Sequence, residues 1–77
     1  YTMAKIAATM ERGEPAEGDK PATGDFSADE KTKDIHLTEA GIAKAEKALG
    51  VEDLFSAQNM ELGHMVRQAL RARMHYH

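Results

Sequence analysis

The chain contains no cysteine, and this absence limits how 77 residues can be stabilised. A domain of this size buries only about 60% of the surface that its unfolded chain exposes. Small domains therefore commonly depend on disulfides, a metal or a larger protein around them. Without cysteine, disulfides and thiolate zinc sites are excluded. We expect one domain, held by helix packing and supported by a longer protein.

The charge and the apolar pattern exclude several classes of protein. A net charge of −3 argues against a general nucleic-acid binder, which usually has a basic excess. No apolar run approaches the roughly 18–20 residues that span a bilayer. The start lacks both the basic region and the apolar core of a signal peptide, and it lacks an initiator methionine. We expect a soluble, intracellular segment of a longer protein.

The first third of the chain divides into a helix and a loop. Apolar side chains recur at helical spacing before a glycine that commonly ends a helix: Met3, Ile6, Ala7, Met10 and then Gly13. This spacing predicts a short amphipathic helix over residues 2–12, within a first segment 1–13. Residues 14–24 contain three acids, two prolines and two glycines. Such a composition predicts a flexible acidic loop.

The middle of the chain has the alternation that is typical of strands. Phe26 and Ala28 alternate with polar neighbours, as do Ile35 and Leu37. A polar turn, residues 29–33, separates the two pairs. The pattern predicts a β-hairpin over residues 25–37, with a loop longer than the tightest two-residue turns.

A second helix is predicted over residues 38–50. Thr38 is a good N-cap, and Glu39 places negative charge where the helix dipole favours it. Gly50 ends the pattern. The apolar face is expected at Ile42, Ala45 and Leu49, with Lys44 and Lys47 turned outward.

A last helix is predicted over residues 56–76, capped by Ser56 or Asn59. One face is expected at Leu62, Val66, Ala69 and Arg73, widened by Met65 and Leu70. The short link 51–55 returns apolar anchors to the core. The fold class is therefore mainly α within α+β: a single domain, residues 1–77, of about three helices with a short β-hairpin.

We find no arrangement of residues that predicts catalysis, a cofactor or a metal. The glycines are too scattered for a phosphate-binding loop, and neither serine has the context of a nucleophile. His64 and His75 would lie about 16 Å apart along a helix. His75 and His77 do not face each other at their spacing. Surface histidines are the better interpretation, and His36 is expected to face outward from the hairpin.

Two residue types are enriched without an assigned role. Arg67, Arg71 and Arg73 fit stabilisation by the helix dipole and contacts with a larger protein better than contacts with RNA or DNA, because no aromatic residues are interleaved with them. Methionine suits both core filling and surfaces that accept varied apolar partners. Composition alone favours core filling for the five methionines: Met3, Met10, Met60, Met65 and Met74.

Several segments in order resemble the preprotein cross-linking domain of SecA. They are 25–33, 35–41 with its Leu-Thr-Glu-x-Gly ending, 44–46, 51–55, 59–64 and 69–72. The resemblance spans residues 25–73, about two-thirds of the chain, and residues 1–12 match the family's preceding helix in position and pattern. Met65 stands where the family often has a second histidine. The chain also stops at His77, before the strand that would return the domain to the motor.

The resemblance implies a role in protein export. SecA is an ATPase that pushes unfolded preproteins through the SecYEG channel, and this domain swings as a clamp over the polypeptide. The implied partners are preproteins, signal peptides, the other SecA domains and SecYEG, and no nucleic acid is expected. The implied location is the cytoplasmic side of the inner membrane. ATP and magnesium belong to the rest of the motor. By position, Met60, Leu62 and Val66 correspond to groove-lining residues, although Leu62 and Val66 equally suit a core. The alternatives are a small nucleic-acid-binding domain and a structural spacer.

Overall fold

The computed structural model describes residues 2–75 and contains three helices and a two-stranded antiparallel sheet. The elements in chain order are α1 (Met3–Thr9), β1 (Phe26–Ala28), β2 (Ile35–Leu37), α2 (Glu39–Leu49) and α3 (Met60–His75). This arrangement confirms the predicted fold class. Tyr1 and Tyr76, which the predicted segments 1–13 and 56–76 included, lie outside the described residues, as does His77.

Strand β1 is the middle one of three extended segments. On one side it pairs with β2, with Phe26 opposite Leu37. On its other side the chain leaving α1 forms a parallel bridge between Arg12 and Phe26. All three residues of β1 are buried, including Ser27, which the alternation had placed on a polar face. The burial of Ser27 therefore departs from the predicted alternation.

Helix α1 is shorter than the predicted range 2–12. Thr2 caps it by accepting the backbone N–H of Lys5 at 3.3 Å. The helix ends at Thr9, because Met10 adopts an extended backbone that leads the chain alongside β1. There the carbonyl of Glu11 accepts the N–H groups of Asp25 and Phe26 at 2.7 and 3.3 Å. Pairing with β1 thus replaces the last helical turn that the sequence pattern suggested.

The acidic loop, residues 14–24, is closed at its base by hydrogen bonds. The backbone N–H of Glu14 donates to Thr23 Oγ1 at 2.9 Å, and the N–H of Thr23 donates to the Glu14 carbonyl at 3.1 Å. Every side chain of the loop is exposed. Beside this closure, a Cβ on Gly13 would lie 1.9 Å from the Thr23 carbonyl oxygen. Only glycine therefore fits where the two ends of the loop meet. The predicted flexibility of the loop stays a prediction.

The hairpin turn is organised by the carboxylate of Asp29. One of its oxygens accepts the N–H groups of Lys31 and Thr32 at 2.8 and 3.1 Å. The N–H groups of Thr32 and Lys31 hold the pKa of Asp29 below its ordinary value. The turn is longer than two residues, as predicted, and Lys33 closes it with a positive φ of 64°.

Helix α2 has the cap and the terminus that its sequence indicates. Thr38 Oγ1 accepts the N–H of Gly41 at 3.1 Å, and Gly50 ends the helix with left-handed backbone angles. The Thr38 hydroxyl also donates to the carbonyl of Gly24 at 2.7 Å, which ties the cap to the start of β1. A Cβ on Gly41 would lie 1.9 Å from the Asp25 carbonyl oxygen. The glycine therefore lets the first turn of α2 lie directly against the backbone before β1.

Asp25 is a buried carboxylate with two hydrogen-bonding partners. Its Oδ2 accepts the N–H of Glu11 at 2.9 Å and binds Lys44 Nζ at 2.6 Å. Lys44 is exposed on α2, as expected, and its ammonium also reaches the carbonyl of Thr9 at 3.2 Å. Burial alone would raise the pKa of Asp25, yet Lys44 and the Glu11 N–H together hold that pKa below its ordinary value.

The connection between α2 and α3 is longer than predicted, since α3 begins at Met60 rather than at residue 56. The backbone N–H of Leu54 donates to a Glu46 carboxylate oxygen at 2.9 Å. The side-chain amide of Asn59 donates to the carbonyls of Glu52 and Asp53 at 2.9 and 3.2 Å. These bonds stabilise a series of turns over residues 52–59, so the helix starts only after Asn59.

The core lies where α1, the sheet and α3 meet, and α1 packs mainly on α3. Arg73 joins these two helices: its Nη1 donates to the carbonyls of Ala7 and Met10 at 2.8 and 2.7 Å. Met65, expected to widen the apolar face of α3, is 41% exposed. The buried apolar residues are Ile6, Ala7, Met10, Phe26, Ala28, Ile35, Ala45, Leu54, Val66 and Leu70.

Replacing Asp25 should destabilise the fold in a pH-dependent way. At neutral pH, Asp25→Asn should lower the free energy of unfolding by about 1–3 kcal/mol, because a charged hydrogen-bond acceptor is lost. The pKa of Asp25 is lower in the folded chain than in the unfolded chain. The stabilisation of the fold by this carboxylate is therefore fully present above the unfolded pKa of about 3.9, and it is lost as the pH falls through the folded pKa.

Urea unfolding of both proteins at neutral pH and at several values below 3.9 measures this effect. The difference between them should shrink in acid. Glu52→Gln, which neutralises an exposed carboxylate, is the matched control and should change stability by less than about 0.5 kcal/mol. A difference between wild type and Asp25→Asn that is independent of pH would contradict this account.

Replacing Arg73 should loosen the contact of α1 with α3. Arg73→Met should cost about 1.5–3 kcal/mol in urea unfolding, because two helix-end carbonyls lose a charged donor. Arg71→Met removes an equal charge from the same helix, but the ion pair of Arg71 with Asp34 is long, at 3.8 Å, and joins side chains that are 43% and 60% exposed, so its loss should cost less than about 1 kcal/mol. If the two variants lose equal free energies of unfolding, the hydrogen bonds of Arg73 to α1 do not stabilise the fold.

Candidate functional site

Helix α3 carries the three residues that the sequence proposes for peptide binding, and the structure separates them. Met60 is 66% exposed, Leu62 is partly buried and Val66 is 1% exposed. At 3.6 residues per turn, Leu62 and Val66 share one side of the helix, whereas Met60 lies about 120° around it from Val66. Val66 therefore belongs to the core, one of the two alternatives. The assignment of the three residues to a peptide stays a prediction.

The exposed side of α3 forms a continuous strip that we call the outer ridge: Met60, His64, Arg67 and Arg71. These positions follow one another at intervals of four, three and four residues, so they share one side of the helix. All four are at least partly exposed. The ridge thus begins with a flexible apolar side chain and continues with cationic and imidazole groups.

Phe55 supports the ridge from the turns that precede α3. A Cβ on Gly63 would lie 2.7 Å from the Phe55 ring, so the glycine gives the ring its place against the helix. The guanidinium carbon of Arg67 lies 4.6 Å from the ring centroid, which is within cation–π distance. Phe55 was expected only as a core anchor, and sequence reasoning missed this arrangement. The glycine in the middle of a helical pattern is the signal that could have indicated it.

The three arginines of α3 do not form one cluster. Arg73 binds α1 and lies over the Phe26 ring, with its guanidinium carbon 5.8 Å from the centroid. Arg67 and Arg71 lie on the outer ridge instead. Arg71 Nε donates to the Lys33 carbonyl at 3.1 Å, and its Nη2 lies 3.8 Å from Asp34 Oδ1. Because Arg73 is occupied within the fold, the predicted nucleic-acid alternative loses one of its three contacts.

A shallow cleft separates β2 from the outer ridge. Its volume is about 360 Å³, and we call it the β2–α3 cleft. Its floor includes the buried Ile35, and His64 lies 3.4 Å from the Gln68 amide nitrogen at its rim. The lining residues are Asp34, Ile35, His36, His64, Arg67, Gln68 and Arg71. Polar and cationic groups therefore make up most of the lining of the cleft.

The histidines are distributed over separate elements. His36 is exposed on β2, and His64 and His75 are exposed at the two ends of α3. Across residues 2–75, no three histidine, cysteine, aspartate or glutamate side chains come together in a way that could hold a metal ion. Within the same range, none of the helices combines the length and the hydropathy that a membrane crossing requires.

The methionines divide between the two roles that composition allowed. Met10 is 2% exposed and fills the core, and Met3 and Met74 pack partly against it. Met60 and Met65 are exposed, and they lie about 140° apart around α3. The two exposed methionines therefore belong to different surfaces, and only Met60 lies on the outer ridge.

Comparisons with known proteins agree on one family. A family model of the SecA preprotein cross-linking domain matches residues 1–77. The protein translocase subunit SecA of Thermus thermophilus is 57% identical over 79 aligned residues, which cover 100% of this chain and 8% of that protein. For SecA of Deinococcus deserti the identity is 48%, with 100% and 9% covered.

A third relative gives the same result. SecA of Campylobacter concisus is 50% identical over 72 residues, which cover 88% of this chain and 8% of that protein. The chain thus spans less than a tenth of the length of these relatives. With the whole chain matched by the family model and by relatives far above 30% identity, the chain belongs to the family of SecA preprotein cross-linking domains.

Proposed function

We propose that the chain is a preprotein-binding clamp module of a SecA translocation motor. It contacts unfolded preproteins and signal peptides during export, and it has no catalysis of its own. The family and the name of the relatives, protein translocase subunit, support a role in protein translocation. In this proposal, ATP hydrolysis with magnesium belongs to the rest of the motor. The other SecA domains and the SecYEG channel are the remaining partners, at the cytoplasmic face of the inner membrane.

The observation that carries the proposal is the exposure of Met60 at the start of the outer ridge. A side chain that is 66% exposed and apolar gains free energy when a partner covers it. Methionine adapts its shape to different partners, which suits recognition of varied apolar segments. Phe55, half-buried beside Gly63, adds an aromatic surface one turn further along the same side.

The three residues implied by the resemblance have different parts in this proposal. Met60 contacts the polypeptide directly. Leu62 is partly buried and adds apolar surface at the edge of the site. Val66 is 1% exposed and acts from the core by fixing the position of α3. The site is therefore an adaptable apolar contact on a rigid helix.

Replacing Met60 should weaken peptide binding. For a labelled signal peptide titrated into the chain, Met60→Ser should raise the Kd about three- to tenfold, because apolar contact area is lost. Met65→Ser removes the other exposed methionine, on a different side of α3, and should leave the Kd unchanged. Amide chemical shifts recorded during the same titration locate the contact and should change around residues 60–66.

Two results would contradict this proposal in different ways. Shift changes confined to the acidic loop, residues 14–24, would refute the site on α3 while leaving peptide binding in place. A folded chain that binds no apolar peptide would refute the binding function and favour a structural spacer.

A further inference from the structure

The outer edge of β2 is the free edge of the small sheet. On the far side of β1, the chain leaving α1 already lies alongside, and the N–H of Gly13 donates to the carbonyl of Phe26 at 2.7 Å. Among the described residues, no strand lies along the outer side of β2, and residues 34–36 line the β2–α3 cleft there. A strand edge without a neighbour presents backbone donors and acceptors that can pair with another chain.

The pairing with β1 determines which backbone groups of β2 face this edge. In antiparallel strands, opposite residues alternate between pairs that exchange hydrogen bonds and pairs that do not. The N–H of Asp29 donates to the carbonyl of Asp34 at 2.9 Å. The N–H of Thr38 donates to the carbonyl of Asp25 at 3.0 Å. Positions 34, 36 and 38 therefore turn their bonding groups toward β1.

Ile35 and Leu37 alternate with those positions, so their N–H and C=O groups turn away from β1. Phe26, which lies opposite Leu37, supports this alternation, because its own backbone groups bond the chain leaving α1 instead. Within residues 2–75, no hydrogen bond occupies the outward groups of Ile35 and Leu37. The strand also lacks proline and lysine, which commonly block an exposed edge.

Arg71 marks one end of the free edge. Its Nε donates to the carbonyl of Lys33, two residues before Ile35, at 3.1 Å. A side chain of α3 thus already supplies a donor to the backbone beside β2. At the other end, Thr38 begins the cap of α2. The groups left for a partner are the N–H and C=O groups of Ile35 and Leu37.

We propose that the outer edge of β2 binds an unfolded segment of preprotein as an added strand in the β2–α3 cleft. This inference rests on the proposed function and specifies how the polypeptide is held. Unfolded preproteins differ in their side chains but share the same backbone. Main-chain hydrogen bonds supply the affinity when a peptide adds to a sheet edge. The edge therefore accepts segments of varied sequence and charge.

The added strand lies next to the apolar contact of the proposed function. Neighbouring strands are about 4.8 Å apart, and His64 on the outer ridge lines the same cleft as Ile35. Met60 precedes His64 by one turn of α3, about 6 Å along the helix axis. An extended segment covers that distance in about two residues. A segment bound at β2 therefore also reaches Met60.

Hydrogen exchange of the β2 amides tests the added strand. A peptide with the sequence of an unfolded preprotein segment is added to the full chain to saturation, and NMR follows the exchange of each amide. The amides of Ile35 and Leu37 should exchange at least about fivefold more slowly, because each N–H gains a hydrogen bond. The amide of His36 already faces β1, so it should change much less and is the internal control.

Methylation of the peptide backbone tests the same bonds from the other side. In a strand, alternate N–H groups face the neighbouring strand. A peptide that is N-methylated at every second residue keeps one bonding edge and should bind like the unmodified peptide. A peptide that is N-methylated at every residue has no donor left, and its Kd should rise about tenfold or more.

Two variants at one position separate the backbone from the side chain. Leu37→Pro removes an outward N–H that makes no bond within the described fold, and proline is tolerated at such a position of an edge strand. Leu37→Ala also removes the leucine side chain but keeps the N–H, so it is the matched control. Leu37→Pro should raise the Kd about fivefold or more relative to Leu37→Ala. Circular dichroism checks that both variants are folded.

The outcomes separate this inference from the proposed function. A bound peptide that leaves the exchange of Ile35 and Leu37 unchanged, or binds equally well when fully N-methylated, would overturn the added strand and leave peptide binding intact. No binding of any peptide by the folded chain would overturn both. Slow exchange of these two amides in whole SecA without preprotein would show that SecA itself covers the edge, which also overturns the added strand.

Discussion

The fold depends on how the carboxylate of Asp25 is satisfied. Removing this group from water is costly unless charged and hydrogen-bonding partners replace the water. The N–H of Glu11 and the ammonium of Lys44 supply those partners, and the backbone carbonyl of the same residue accepts the N–H of Thr38 at 3.0 Å. One residue thus connects the chain leaving α1, the sheet and α2. The position of α3 follows from this frame, since α3 packs on α1 and β2.

Helix α3 has one side that packs on the rest of the domain and one side that is exposed. Its inner side contributes Val66 and Leu70 to the core and Arg73 to the end of α1. Its outer side carries Met60 and Arg67, which are exposed, and Arg71, which is partly exposed. Arginine therefore contacts another helix at one position and lies on the exposed side of α3 at another. The difference arises from which element lies opposite each residue, because arginine at 73 meets the carbonyls of Ala7 and Met10 at the end of α1.

Structural features that depend on a few neighbouring residues could be predicted from the sequence. The cap at Thr38, the glycine that ends α2 and the alternation of the hairpin predict their structures because each depends on neighbouring atoms. Contacts between residues far apart in the sequence could not be predicted from it. Lys44 meets Asp25 across 19 positions and Arg73 meets Ala7 across 66, and no local pattern encodes either pair. The same limit applies to the site: periodicity identifies apolar positions on α3, but only packing shows that Val66 faces inward and Met60 outward.

The closed base of the acidic loop has a consequence for how the domain can vary. The ends of the loop are already joined by the bonds of Glu14 with Thr23, and none of its side chains enters the core. The entropy of closing a loop rises only logarithmically with its length, by about 0.6 kcal/mol for each doubling. Additional residues between these ends would therefore extend away from the domain with little effect on its stability. A longer loop could therefore extend toward neighbouring molecules while the helix that carries the candidate site stays unchanged.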